Sequence, residues 1–170
     1  NRLESVGGEL NAYTTKEETF VYANFLCEDY ERAVDLCSDI VFHATFPQKE
    51  LDKEVDVIID EIHSYKDTPT ELIYDDFEEL IFEGVPLGRN ILGDAKRLKK
   101  YKTQNAVDFV QRTYCTDKIL FFSLGKVPFD KVKRLAQKYW GDVPEKRSEE
   151  KQPVNSLCKS FEKNIKKHIS

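Results

Sequence analysis

The chain has 170 residues, of which 40% are hydrophobic and 34% charged, which is enough to bury one substantial core and too apolar for a disordered tail. A formal net charge of -5 argues against a dedicated nucleic-acid binder, because neutralising phosphates takes a clustered basic surface. The longest apolar runs, such as "ILFFSL" at 119–124, are far too short to span a bilayer, so neither nucleic acid nor membrane is an expected partner.

After a short helix end, "GGELNAYTT" and "TFVYANFL" read as two strands. In the second, Phe20, Tyr22 and Leu26 alternate with Val21, Ala23 and Phe25, which predicts that both faces are covered. Asp29 stands where it can cap a helix whose stripe is Ala33, Val34, Leu36, Cys37, Ile40, Val41 and Ala44, ending at "HATFP". Pro47 suits the first turn of a following helix that runs to Asp67. Leu72, Ile73, Phe77, Leu80 and Ile81 mark another helix ending at Gly84. "GVPLGRNILG" is a loop with special backbone needs. The basic run "KRLKKYK" at 96–102 reads as a solvated helix face.

Thr103 opens a helix with Val107, Val110 and Tyr114 inward, and "KILFFSLG" is expected to be a strand. A last helix begins at Pro128, faces inward through Val132, Leu135, Ala136 and Tyr139, and ends at Gly141. The expected fold class is α+β, an antiparallel sheet with helices packed against it. Residues 1–143 form a partial domain. The polar stretch 144–160 reads as an interdomain linker, and 161–170 as the start of a second domain. Cys27, Cys37, Cys115 and Cys158 lack C-x-x-C spacing, which suggests free thiols in a reducing, cytoplasmic compartment, although two disulfides fit the count. The chain contains no methionine and its opening residues resemble no targeting segment, so it reads as part of a longer protein.

In "LDKEVDVIIDEIHSYKDTP", Glu54 and Glu61 are seven residues apart, which on a helix places them on one face about two turns from each other. They border the stripe of Val55, Ile58, Ile59 and Ile62, so each can be held by a rigid element and still reach a cleft. Periodicity alone favours two ordinary solvated glutamates, since such residues are usually exposed. A catalytic zinc needs three protein ligands, usually two histidines and a carboxylate. His43, His63 and His168 form no such pair, and the chain by itself spells no complete metal site.

Together, "GGELNAYT", the E-x6-E pair ahead of Asp67 and Pro69, and "PLGRNILG" resemble the N-terminal catalytic domain of the pitrilysin or insulinase family of inverted zinc peptidases, in unbroken order from Asn1 to Gly141. The resemblance implies a pitrilysin-like metallopeptidase domain, an activity on extended or unfolded peptides, and zinc as cofactor in the intact protein. It makes Glu61 the third zinc ligand and Glu54 an accessory catalytic glutamate. The H-x-x-E-H motif that carries two histidine ligands and the general base would lie before Asn1. Substrate would add a strand to the edge formed by "LNAYT", with Asn11 and Ala12 as contacts. A second homologous domain or subunit is the implied partner. The rival from another class is a noncatalytic family member serving as scaffold or binding subunit of a heterodimeric peptidase.

Overall fold

The computed structural model describes residues 2–149, which fall into two compact units. One is built from the chain up to Phe46 together with Val107–Ser148, the other from Pro47–Ala106. The class is the expected one: a helix-rich α+β chain with a small antiparallel sheet.

In the first unit, β1 (Glu9–Thr14) and β2 (Thr19–Asn24) form a hairpin in which Leu10 faces Ala23, Asn11 faces Tyr22 and Ala12 faces Val21. The Thr15 amide donates to the Glu18 carbonyl at 2.7 Å, and Thr15 Oγ1 accepts from the Glu18 amide at 3.0 Å, closing the turn. Gly8 precedes the hairpin where the backbone crosses Leu3: a Cβ there would meet Leu3 Cγ at 2.6 Å, so the crossing requires glycine. β2 leads through a 3-10 turn into α1 (Tyr30–Phe42), which packs on β2 and on α6 (Phe129–Trp140).

Tyr30, Val34 and Leu135 are the centre of that packing, with Phe25, Val127, Val132, Tyr139 and Trp140 around them. Periods of three and four bring Tyr30 and Val34 onto the face of α1 that meets α6. Ser38 Oγ, also buried, donates to the Tyr139 carbonyl at 3.3 Å. At the rim Lys138 Nζ donates to Glu31 at 2.6 Å, and Tyr139 Oη donates to the same carboxylate. These bonds hold the Glu31 carboxyl below its ordinary value and the Lys138 ammonium above its own.

The second unit holds α2 (Gln48–Lys66), α3 (Pro69–Ile81) and α4 (Ala95–Leu98). Val55, Ile59 and Ile62 form the buried stripe of α2, while Ile73, Phe77 and Leu80 of α3 are exposed. Gly88 lies so close to α3's end that a Cβ would meet the Phe82 carbonyl oxygen at 2.5 Å, which explains a glycine in the Pro86–Gly88 turn. The basic run at 96–102 is solvent-facing as expected, apart from half-buried Leu98. From here α5 (Thr103–Thr113) carries the chain into the first unit, with Val107, Val110 and Tyr114 half-buried.

Four expectations need correction. Asp29 occupies the N-cap position of α1, but its carboxylate pairs with Arg32 at 3.4 Å and caps no amide. Pro47 is the N-cap of α2 and not its first helical residue, since its extended backbone (ψ 131°) precedes the first turn. The hairpin is not covered on both faces: Phe20 and Tyr22 are exposed, because only the face of Val21 and Ala23 turns toward α1. "KILFFSLG" forms no ladder among the described residues, for a strand needs a neighbour to exist as one.

Within the stretch read as a linker, Thr116 exchanges hydrogen bonds with Lys146, and Asp117 accepts from Ser148. Asp117 is thereby held below the usual carboxylate range. Residues 150–170, including the expected second-domain start, Cys158 and His168, lie outside the described residues. Cys27, Cys37 and Cys115 are free thiols, and burial pushes that of Cys37 up. No helix among the described residues is long and apolar enough to cross a membrane.

Candidate active site

Glu54 and Glu61 stand on α2, which runs without interruption from Gln48 to Lys66. Lys53 and Glu50 pair across one turn at 3.0 Å, and the apolar stripe fixes the rotation of the helix against its own unit. At 100° per residue the two glutamates share a face, about 10 Å apart along the axis. Both are exposed, and neither carboxylate is engaged in a hydrogen bond or ion pair among the described residues. They are therefore available as acceptors or ligands, on a helix that does not depend on them for stability.

Sequence reasoning passed over what steadies this helix at its ends. The Gln48 carboxamide donates to Asp52 and accepts from the Thr103 amide at 3.0 Å, fastening the start of α2 to the start of α5 within the same unit. At the other side Asn90 donates to Asp75 and accepts from the Leu92 amide at 2.8 Å, tying the "PLGRNILG" loop onto α3, which packs on α2. Asn90 carried a legible signal, an Asn in a Gly-rich loop that bonds its own backbone two residues on. Gln48 carried none, because its partner is 55 residues away.

Asn11 and Ala12 stand on β1, in the other unit. Hydrogen-bonded pairs alternate along an antiparallel ladder, and the Thr15 to Glu18 bond sets the phase, so the Ala12 amide points away from β2 toward the free edge. There it donates to Asn11 Oδ1 at 2.8 Å. The Asn11 side chain thus occupies the donor that an added strand would use.

His43 follows α1 and His63 lies on α2, both exposed. Among the described residues no three His, Cys, Asp or Glu side chains gather as a metal site. The two glutamates fit a metal as contributors, since each offers an unpaired carboxylate oxygen from a fixed helix. They do not make a site by themselves, because zinc in a hydrolase takes three protein ligands.

The model of the insulinase family, peptidase family M16, matches residues 1–95, which contain β1, β2, α1, α2 and both glutamates. The chain is 36% identical to the mitochondrial-processing peptidase subunit beta of Saccharomyces cerevisiae over 91% of its own length and 33% of that protein's. It is 31% identical to an uncharacterized zinc protease of Rickettsia felis, covering 83% of the chain and 34% of the relative. The chain thus spans about a third of the relatives it matches. In fold it resembles a peptidase M16 inactive domain from Pseudomonas fluorescens, with a TM-score of 0.75 at 17% identity over 88% of this chain and 37% of that one. The chain belongs to the insulinase family of M16 peptidases.

Proposed function

We propose that this chain is part of a zinc-dependent endopeptidase acting on extended or unfolded peptides. The observation that carries this reading is the uninterrupted α2, with Glu54 and Glu61 on one face and both carboxylates unpaired, inside the matched family region. Glu61 is the carboxylate ligand and Glu54 the accessory glutamate. The histidine pair and the general base come from outside residues 1–170, so the chain alone is inactive. Bound there, zinc would supply the Lewis acidity that brings the pKa of a water toward neutral pH.

This chain's own residues provide the rest. Glu61 presents a negatively charged oxygen from a helix locked by Val55, Ile59 and Ile62. Glu54, about two turns away, adds negative potential that steadies the ligands' orientation. The free edge of β1 receives the peptide backbone as an added strand, and Asn11 yields the Ala12 amide as it arrives. A second homologous domain or subunit completes the assembly.

The test uses the full-length protein and a quenched fluorescent peptide. Cleavage that a chelator abolishes and zinc restores is the expected result, with none from the 170-residue chain. The rival reading is a noncatalytic scaffold or binding subunit of a heterodimeric peptidase. Absence of both bound zinc and cleavage in the full-length protein would establish that reading instead.

A further inference from the structure

The seven residues at 96–102 hold five cations, Lys96, Arg97, Lys99, Lys100 and Lys102, all exposed, in a chain whose net charge is -5. None of the five side chains has an ion-pair or hydrogen-bond partner among the described residues. Asp94, the acidic residue just before them, uses its carboxylate to accept the Arg97 amide at 3.0 Å, capping α4. Lys96 with Lys99 and Lys100, and Arg97 with Lys100, are three or four residues apart, the spacings at which like charges destabilise a helical turn. The turn is nevertheless held in place. The Lys100 and Tyr101 amides donate back to the Arg97 and Leu98 carbonyls at 2.9 and 3.0 Å, and the Lys102 amide donates to Asn105 Oδ1 at 2.9 Å. α4 packs on α2, with Leu98 half-buried. Cations are thus concentrated on a fixed backbone, at an electrostatic cost that no carboxylate among the described residues offsets.

We propose that the turn at 96–102 is a docking site for a short acidic peptide segment, a run of Asp and Glu on a partner protein. The size of the patch favours a short ligand, since seven residues of helical coil span only about 10 Å. Charge elsewhere excludes a long one. Without these five cations the chain is more acidic still, and α3 of the same unit carries Asp75, Asp76, Glu78 and Glu79. A membrane surface or a nucleic-acid strand brings negative charge against that acidic remainder as well, whereas a few carboxylates sit within a Debye length, about 8 Å, of the patch alone. Four of the five cations are lysines, compact charges on flexible stems that accept carboxylates without the fixed fork geometry of arginine. Exposed Tyr101 gives the segment an apolar surface to lie on.

Fluorescence anisotropy of a labelled hexaglutamate peptide with the full-length protein tests the assignment. Binding that weakens as salt rises is expected, and hexaglutamine should not bind. The double variant Lys99→Gln, Lys100→Gln is expected to weaken binding by roughly tenfold. The same variant should unfold no more easily than wild type, because it relieves like-charge repulsion, so loss of affinity cannot be mistaken for loss of fold. Lys133→Glu, which reverses a charge on α6, serves as control and should leave affinity unchanged. Binding is expected in the Glu61→Gln protein and after zinc removal, so a failure of the peptidase reading would leave it intact. No binding at low salt, or equal binding by the double variant, would overturn the proposal. So would tighter binding, through the same two lysines, of vesicles of anionic phospholipid or of a single-stranded oligonucleotide, because the occupant would then be of another class.

Discussion

α2, a largely charged helix with one apolar stripe, and the segment 119–124, apolar at every position but Ser123, have opposite fates. α2 satisfies its backbone hydrogen bonds within itself, so its formation requires only propensity and one buried stripe. The segment 119–124 cannot do so, since a strand's donors and acceptors face sideways and another chain segment must meet them. The candidate metal ligands are therefore on an element whose backbone hydrogen bonds are met within itself, whereas 119–124 has no backbone partner among the described residues. An exposed, unpaired apolar segment of this kind also invites association with other chains.

The largest effect should come from the core of α1 and α6, on which Phe121 and Ser123 rest. Leu135 is 2% exposed and packs against Tyr30 and Val34, so Leu135→Ala is expected to lower stability by about 2–5 kcal/mol. Urea denaturation followed by circular dichroism measures it. A loss below about 1 kcal/mol would mean that α1 and α6 do not form a tight core.

The contrast is sharpened by Phe122, an apolar residue on the outward side of the unpaired segment. In the 170-residue chain, Phe122→Ser is expected to change stability by no more than about 0.5 kcal/mol and to reduce aggregation, as measured by denaturation and light scattering. A loss comparable with Leu135→Ala would show that Phe122 is already buried in this chain.

The smallest effect concerns the rim. Glu31 has a lowered folded value, so its contribution is present above the ordinary glutamate value and fades as pH falls through the lowered one. Lys138 has a raised folded value, so its contribution is present below the ordinary lysine value and fades as pH rises through the raised one. Both groups are solvent-exposed, so screening keeps the effect small. Stability curves of wild type and Glu31→Gln should converge toward strongly acidic pH and separate slightly at neutral pH. A constant offset at every pH would remove the ion pair as the cause.

The same physical difference decided what could be read from the sequence. Helices were legible almost to their ends, because the stripes of Ala33 and Val34, of Val55, Ile59 and Ile62, and of Leu135 are local signals. The hairpin was legible as well, since its strands are joined by a short turn. Coverage of faces was not: Phe20 and Leu120 are apolar whether or not anything packs on them, and only tertiary structure says which. Of the candidate site, the shared face of Glu54 and Glu61 followed from helical geometry. The roles given to Glu61, Glu54, Asn11 and Ala12 came from family resemblance and not from any local pattern. Gln48 and its bond to Thr103 had no signal in sequence, because the contact is set by how helices meet.

The central claim is that Glu61 holds zinc and Glu54 supports it from a distance. It is tested most directly by the zinc content of full-length Glu61→Gln and Glu54→Gln proteins, measured by atomic absorption beside peptide cleavage, with circular dichroism to confirm folding. Glu61→Gln is expected to lose most of its zinc and nearly all cleavage, since a neutral amide binds zinc weakly. Glu54→Gln is expected to keep most of its metal and lose roughly 10- to 100-fold in activity. A folded Glu61→Gln protein with full zinc content and full activity would contradict the assignment.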